Sequence, residues 1–277
     1  MTTPTPAPAA PLANTDKLKG ALAEVPEIRP GMTLKALMAP KTVRQRFEEV
    51  LGKKAAGFMS SVITAYSMNE GLQKCEPMSV ISSAAIAAAL DLPVTSGLGF
   101  AHIVPYKGVA TMQIGWKGFV QLAQRSGQYL TINVSEVCEG ELVKSNRFSG
   151  IMEFDESKKT SDKIIGYVSY FRLQNGFEKW FYMTHDQMFA HAKKYSQSFK
   201  NGGGKWADDF VAMAKKTVVK LNLSKWGVLS VEMQKAIMFD QAAVTKDNQP
   251  QYVDGSDTVT DADVVKDATA TEAPTGK

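Results

Sequence analysis

Between Gly99 and Gly127, aromatic and cationic side chains interleave: Tyr106 beside Lys107, Trp116 beside Lys117, and Phe119 ahead of Arg125. A second segment repeats the combination. Lys205 and Trp206 follow Gly202-Gly-Gly204, and Lys215, Lys216 and Lys220 come next. Bases stack on rings and phosphates need cations, so this chemistry fits single-stranded nucleic acid. Trp116-Lys117 lies between Gly115 and Gly118 and reads as a tight turn reaching the surface, its glycines letting backbone amides approach phosphates. Tyr106 and Phe119 fit core positions as well as stacking positions. The three α-helical lysines fit a solvated face too; their coincidence with a second Gly-rich, Trp-containing loop favours phosphate contact. Lys144, Arg147, Lys193, Lys194 and Lys225 are further candidates of the same kind.

Catalytic chemistry finds less to work with. Lys205 follows a glycine tract, but a phosphate loop needs GxxxxGK[ST], and Phe199 stands where its first Gly belongs while Trp206 follows the Lys. Gly97-Leu-Gly99 is followed by His102 where a dinucleotide fold needs Gly. His185 and His191, six apart, do not share a helix face as zinc ligands. Asp155-Glu156 and Asp208-Asp209 are acidic pairs, and the second, near Lys215-Lys216, fits a metal-dependent nuclease. The same two aspartates also fit the first turn of a helix, where the dipole favours them. Cys75 and Cys138 form no CxxC or Cys/His cluster and read as reduced, buried thiols. No catalytic group, metal or cofactor is expected.

These residues need elements to position them. Residues 1–30 read as a flexible tail with a short helix near 17–24. Residues 31–95 form a helical subdomain: a turn at 33–38, helices at 42–51 and 54–68, and an Ala-rich helix at 79–90. Residues 96–183 are strand-rich. Strands at 103–106 and 109–114 flank Lys107-Gly108, and strands at 164–173 and 177–183 flank Gln174-Asn-Gly176, both hairpin signals. A helix at 119–125 leads to a strand at 129–138, with which 141–148 is expected to pair. Residues 184–244 are helical again: Thr184 caps a helix at 185–195. The long helix at 208–223 carries an apolar stripe of Phe210, Ala214, Val218 and Leu221, with the lysines on its polar side. A last helix runs over 231–240. The order of elements predicts an α+β fold, a mainly antiparallel sheet with β-hairpins on a long helix, flanked by N- and C-terminal helices.

The 277-residue chain carries a net charge of +4, unevenly placed. Residues 245–277 hold three Lys against seven Asp or Glu, so the remainder stands at +8. A basic body suits a polyanionic partner, and the acidic tail reads as disordered. No apolar run reaches the length of a membrane span.

Five motifs in order carry a family resemblance: Leu98-Gly-Phe-Ala-His102, Ile114-Gly-Trp-Lys-Gly118, Ala123-Gln-Arg-Ser-Gly-Gln128, Met213-Ala-Lys-Lys-Thr217 and Leu229-Ser-Val-Glu-Met-Gln234. They resemble the RecT family of phage single-strand annealing proteins, and the resemblance covers roughly residues 33–240. The Gly-x-x-Gly turn holds Trp116-Lys117 here, where some relatives carry Tyr or Arg. The resemblance implies a core like that of the Rad-type annealing proteins and a cytoplasmic site of action in a bacterial host. It implies ATP-independent binding of single-stranded DNA, annealing into duplex DNA, and homo-oligomeric rings or filaments with a continuous basic groove. It also implies a phage exonuclease as partner, with a host single-strand-binding protein as a further one. The family's groove maps to Lys107, Lys117, Arg125, Lys215, Lys216 and Lys220. A protein that binds and protects single strands without pairing them is the alternative, ahead of a metal nuclease.

Overall fold

The structure, a computed structural model, describes residues 34–95, 97–244 and 250–252. The expected helix at 17–24 and nearly all of both tails lie outside the described residues.

The helical subdomain opens with α1 (Leu34–Met38), which buries Leu34, Leu37 and Met38. Helix α2 (Lys41–Leu51) starts after Pro40, buries Val43 and Phe47, and ends at Gly52 with φ 55°, a conformation glycine adopts without strain. Helix α3 (Ala55–Ser67) buries Ala55, Met59 and Val62. After the short α4 (Glu70–Gln73) comes α5 (Pro77–Ala89), with Pro at its first position, where a missing N–H costs nothing. Its small residues let β2 approach closely. Ser79 Oγ accepts from Ala110 N (2.7 Å) and Ser83 Oγ donates to Ala110 O (3.0 Å), stitching helix to strand.

Strands β1 (Ala101–Tyr106) and β2 (Val109–Ile114) form the first hairpin, with Tyr106 opposite Val109. Lys107 and Gly108 both have positive φ (47° and 81°), as a two-residue turn of the tightest kind requires. Helix α6 (Trp116–Arg125) follows at once. Trp116-Lys117 is therefore the first turn of a helix, not the expected loop. The glycines around it serve packing: a Cβ on Gly115 would overlap the carbonyl oxygen of Gly99, and one on Gly118 that of Phe100.

The main sheet is antiparallel in the order β3 (Tyr129–Cys138), β6 (Ile164–Leu173), β7 (Glu178–Thr184). The expected pairing of 141–148 with 129–138 does not occur. Instead β4 (Leu142–Asn146) pairs with β5 (Ile151–Phe154) as a separate hairpin, and β6 takes the edge of β3. Local alternation cannot tell which of two later strands will win a partner, and β6 matches β3 in length. The four-residue connection after β6 holds Gly176 at φ 87°, with Asn175 Oδ1 accepting from Phe177 N (3.0 Å).

Thr184 caps α7 (His185–Tyr195) through a reciprocal capping box with Gln187. Short helices α8 (Gln197–Lys200) and α9 (Lys205–Asp208) lead into α10 (Phe210–Trp226). Helix α10 lies across all three strands of the sheet and is covered on its other side by α6. Asn222 Nδ2 donates to Ser169 O (3.1 Å), tying it to β6. Because two sides are covered, burial extends beyond the expected stripe and includes Lys216, 5 % exposed. Helix α11 (Val231–Phe239) and strand β8 (Ala242–Val244) complete the C-terminal side. Strand β9 (Pro250–Tyr252), within the stretch expected to be disordered, pairs with β8.

Candidate nucleic-acid interface

Helix α10 forms the floor of an open groove of about 1420 Å³. One wall is the β1–β2 hairpin, with Val104, Tyr106 and Gln113; the other is β7 and the β4–β5 hairpin, with Lys179, Trp180, Tyr182, Arg147 and Met152. The loop at 196–206 closes one end. Small-molecule sites span roughly 300–1,000 Å³, so this cleft suits a longer ligand. Six cations line it, Arg147, Lys179, Lys205, Lys216, Lys220 and Lys225, against two carboxylates, Asp208 and Asp240.

Both carboxylates are engaged. Lys205 donates to Asp208 (3.2 Å). Asp240, buried completely, accepts from Lys216 (2.8 Å) and Lys220 (2.9 Å). Burial pushes its carboxyl up, but the two ammoniums outweigh that and hold it below the usual carboxylate range. His102 on β1 is lowered first by desolvation and then by Lys216 and Lys205.

The aromatic side chains differ in what they present. Trp226 is 47 % exposed, with Lys179 Nζ 4.4 Å from its ring centre. Trp180 is half-buried and lies tilted against Tyr170, ring centres 4.2 Å apart. Trp206, expected among the DNA contacts, is 7 % exposed, its ring against Phe210 at 5.2 Å; it forms wall rather than platform. Phe119 is wholly buried and belongs to the core.

Of the expected contacts, Tyr106, Arg147, Lys205, Trp206, Lys216, Lys220 and Lys225 come together in the groove. Lys107 is exposed at the tip of the first hairpin and Lys144 on β4, neither among the lining residues. Trp116, Lys117 and Lys215 form a separate cluster: both ammoniums lie 5.8 Å from the Trp116 ring centre, and Lys215 pairs with Glu136. That hydrogen bond, against the opposing effect of burial, holds Glu136 below the usual range. Arg125 serves α5 instead, donating to Leu90 O (2.8 Å) and Asp91 O (2.7 Å) at its C-terminus.

Lys179, Trp180, Tyr182 and Trp226 escaped the sequence reading. A signal was present: each of the four tryptophans, Trp116, Trp180, Trp206 and Trp226, adjoins a lysine. The nuclease arrangement loses its geometry, because Asp209 caps α10 by accepting from Ala212 N (3.0 Å) and Asp208 pairs with Lys205. Among the described residues no cluster of three or more His, Cys, Asp or Glu is placed to hold a metal ion. Cys75 and Cys138 are buried free thiols.

A basic groove walled by aromatics on an α+β body defines a nucleic-acid-binding protein. The RecT family model matches residues 56–260. The uncharacterized protein YqaK of Bacillus subtilis (strain 168) is 46 % identical over 245 residues, 88 % of this chain and 85 % of its own. Protein RecT of Escherichia coli (strain K12) is 28 % identical over 200 residues, covering 67 % and 69 % respectively. The chain belongs to the RecT family and is a single-strand annealing protein of DNA recombination. Among the described residues no helix is long and apolar enough to cross a membrane.

Proposed function

We propose that the protein anneals complementary DNA strands without ATP, as a ring or filament whose subunits align their grooves. The observation that carries this reading is the groove itself, six cations with the Lys179–Trp226 and Trp180 platforms beside them. Annealing breaks no covalent bond. It needs two phosphate backbones neutralised and the bases kept open to pairing. One subunit supplies few cations; a polymer multiplies them along the strand and gains avidity. In this reading residues 31–244 are the annealing core and 245–277 an acidic tail. Tyr106, Arg147, Lys205, Lys216 and Lys220 contact the strand in the groove, while Lys107, Lys117, Lys144 and Lys215 extend the basic surface around it. The protein acts in the bacterial cytoplasm beside an exonuclease that exposes single strands, and meets the host single-strand-binding protein there.

The test is pairing of two complementary oligonucleotides by purified protein, without ATP and with chelator present. Pairing well above the spontaneous rate is expected. Binding without acceleration would leave only strand protection, and no binding would sink the groove.

A further inference from the structure

Asp240 lies 24 residues beyond Lys216 and 126 beyond Ile114, yet it meets both. It follows the last turn of α11, and its Oδ1 accepts from Ile114 N (2.9 Å) as well as from Lys216. The next residue, Gln241, has φ 66°, a left-handed conformation uncommon for a non-glycine residue, and donates its N–H to Met112 O (3.0 Å). Two successive residues are thus tied to the end of β2. The result is a buried carboxylate delivered to the groove floor at a fixed point.

What it does there follows from charge. Lys216 and Lys220 stand one helical turn apart on α10, and their ammoniums converge on the two oxygens of one carboxylate. Two like charges converging in a half-buried place would repel each other and lose hydration. A single carboxylate between them removes both costs and leaves the cluster at a net charge of +1. The carboxylate is itself fully buried, so a bound phosphate meets lysine before aspartate. Other charged or titratable groups around the cluster include His102 and Tyr106 on β1, Tyr182 on β7, His191 on α7, Lys205 on α9 and Lys225 on α10.

We propose that Asp240 is a positioning residue for strand binding: the internal counter-ion that keeps Lys216 and Lys220 charged and aimed along the groove floor. The inference rests on the groove being the strand-binding surface.

The test measures oligothymidylate binding to the purified full-length chain by fluorescence anisotropy, from pH 7 to 9 and across a salt series, with thermal melting alongside. Asp240→Asn keeps an acceptor for Ile114 N–H and removes only the charge. Lys216 and Lys220 then lose the carboxylate that both ammoniums contact, so the pair gives up a proton more readily as pH rises. Affinity of this variant is expected to fall about tenfold more than wild type by pH 9, roughly the effect of one charge-assisted contact. His102, lowered below its ordinary value, is already largely uncharged from pH 7 upward in both proteins, so the profile over this window reports the lysines. The paired variant Lys216→Met with Asp240→Asn removes one charge of each sign and leaves the net charge of the groove unchanged. It is expected to melt cooperatively, to follow the wild-type pH profile, and to bind more weakly, with a salt slope smaller by about 0.7 for the lost phosphate contact.

An Asp240→Asn profile parallel to wild type would overturn the proposal. So would a paired variant that binds like wild type, or one that fails to fold, which would make the cluster a folding element alone. If Asp240→Asn does not fold while the paired variant folds and binds weakly, the proposal stands. Wild type that ignores oligothymidylate would overturn the strand-binding reading beneath it.

Discussion

Two hairpins border the groove. The β1–β2 hairpin buries Ala101, Ile103, Ala110, Met112 and Ile114. Its tip accepts from Glu76 N at Gly108 O (2.8 Å), its edge is stitched to Ser79 and Ser83, and its far end is held by Asp240. The β4–β5 hairpin buries no residue along either strand. Val143, Phe148 and Ile151 stand 40 %, 87 % and 55 % exposed, and its root rests on β7 through Phe154 against Trp180 at 5.2 Å. The first hairpin is positioned by the core and the second mainly by its own ladder. One wall of the groove is therefore built into the stability of the fold, and the other carries binding groups at little cost to it.

Three tests probe that contrast. The largest effect is expected from Met112→Ala, which empties a fully buried site and should cost about 2–5 kcal/mol, while Val143→Ala on the second hairpin stays within about 0.5 kcal/mol. Urea unfolding of both variants checks this, and equal losses would erase the distinction. Acid comes next. Asp240 and Glu136 sit below the ordinary carboxylate range, so the stability they lend is full above about pH 5 and is lost as pH falls through their unfolded and then their folded-state values. Melting temperature should drop in that window, and amides of β2 should lose exchange protection before those of β6. Uniform loss across both strands would argue against Asp240 as the anchor. The smallest effect on the fold is expected from Arg147→Ala: melting unchanged, but the salt dependence of oligonucleotide binding reduced by about 0.7, one phosphate contact. A change in melting would mean that the second hairpin also supports the core.

Much of the fold was legible locally. Lys107-Gly108 and Asn175-Gly176 marked their hairpins, Thr184 its helix, and Gly52 the end of α2, because each rests on the backbone preferences of one or two adjacent residues. The binding chemistry was legible as well, through the company that aromatic rings keep with lysines. Less legible was the use of each residue. Arg125 and Lys107 look alike in sequence, yet one secures the end of α5 and the other stands at an exposed turn. Gly115 and Gly118 announced a special backbone site, but the reason was a neighbouring carbonyl rather than a phosphate.

By itself the sequence determined the order of elements, the turns and caps between them, and the class of ligand, since these depend on residue types within a few positions of one another. Tertiary structure alone decided that 141–148 pairs forward rather than back, that Trp206 is buried in the groove wall while Trp226 stands exposed in the groove, and that two of three neighbouring lysines on α10 share one aspartate. Those outcomes depend on which surfaces meet across long separations, where burial, charge and shape are settled together and no local pattern records the result.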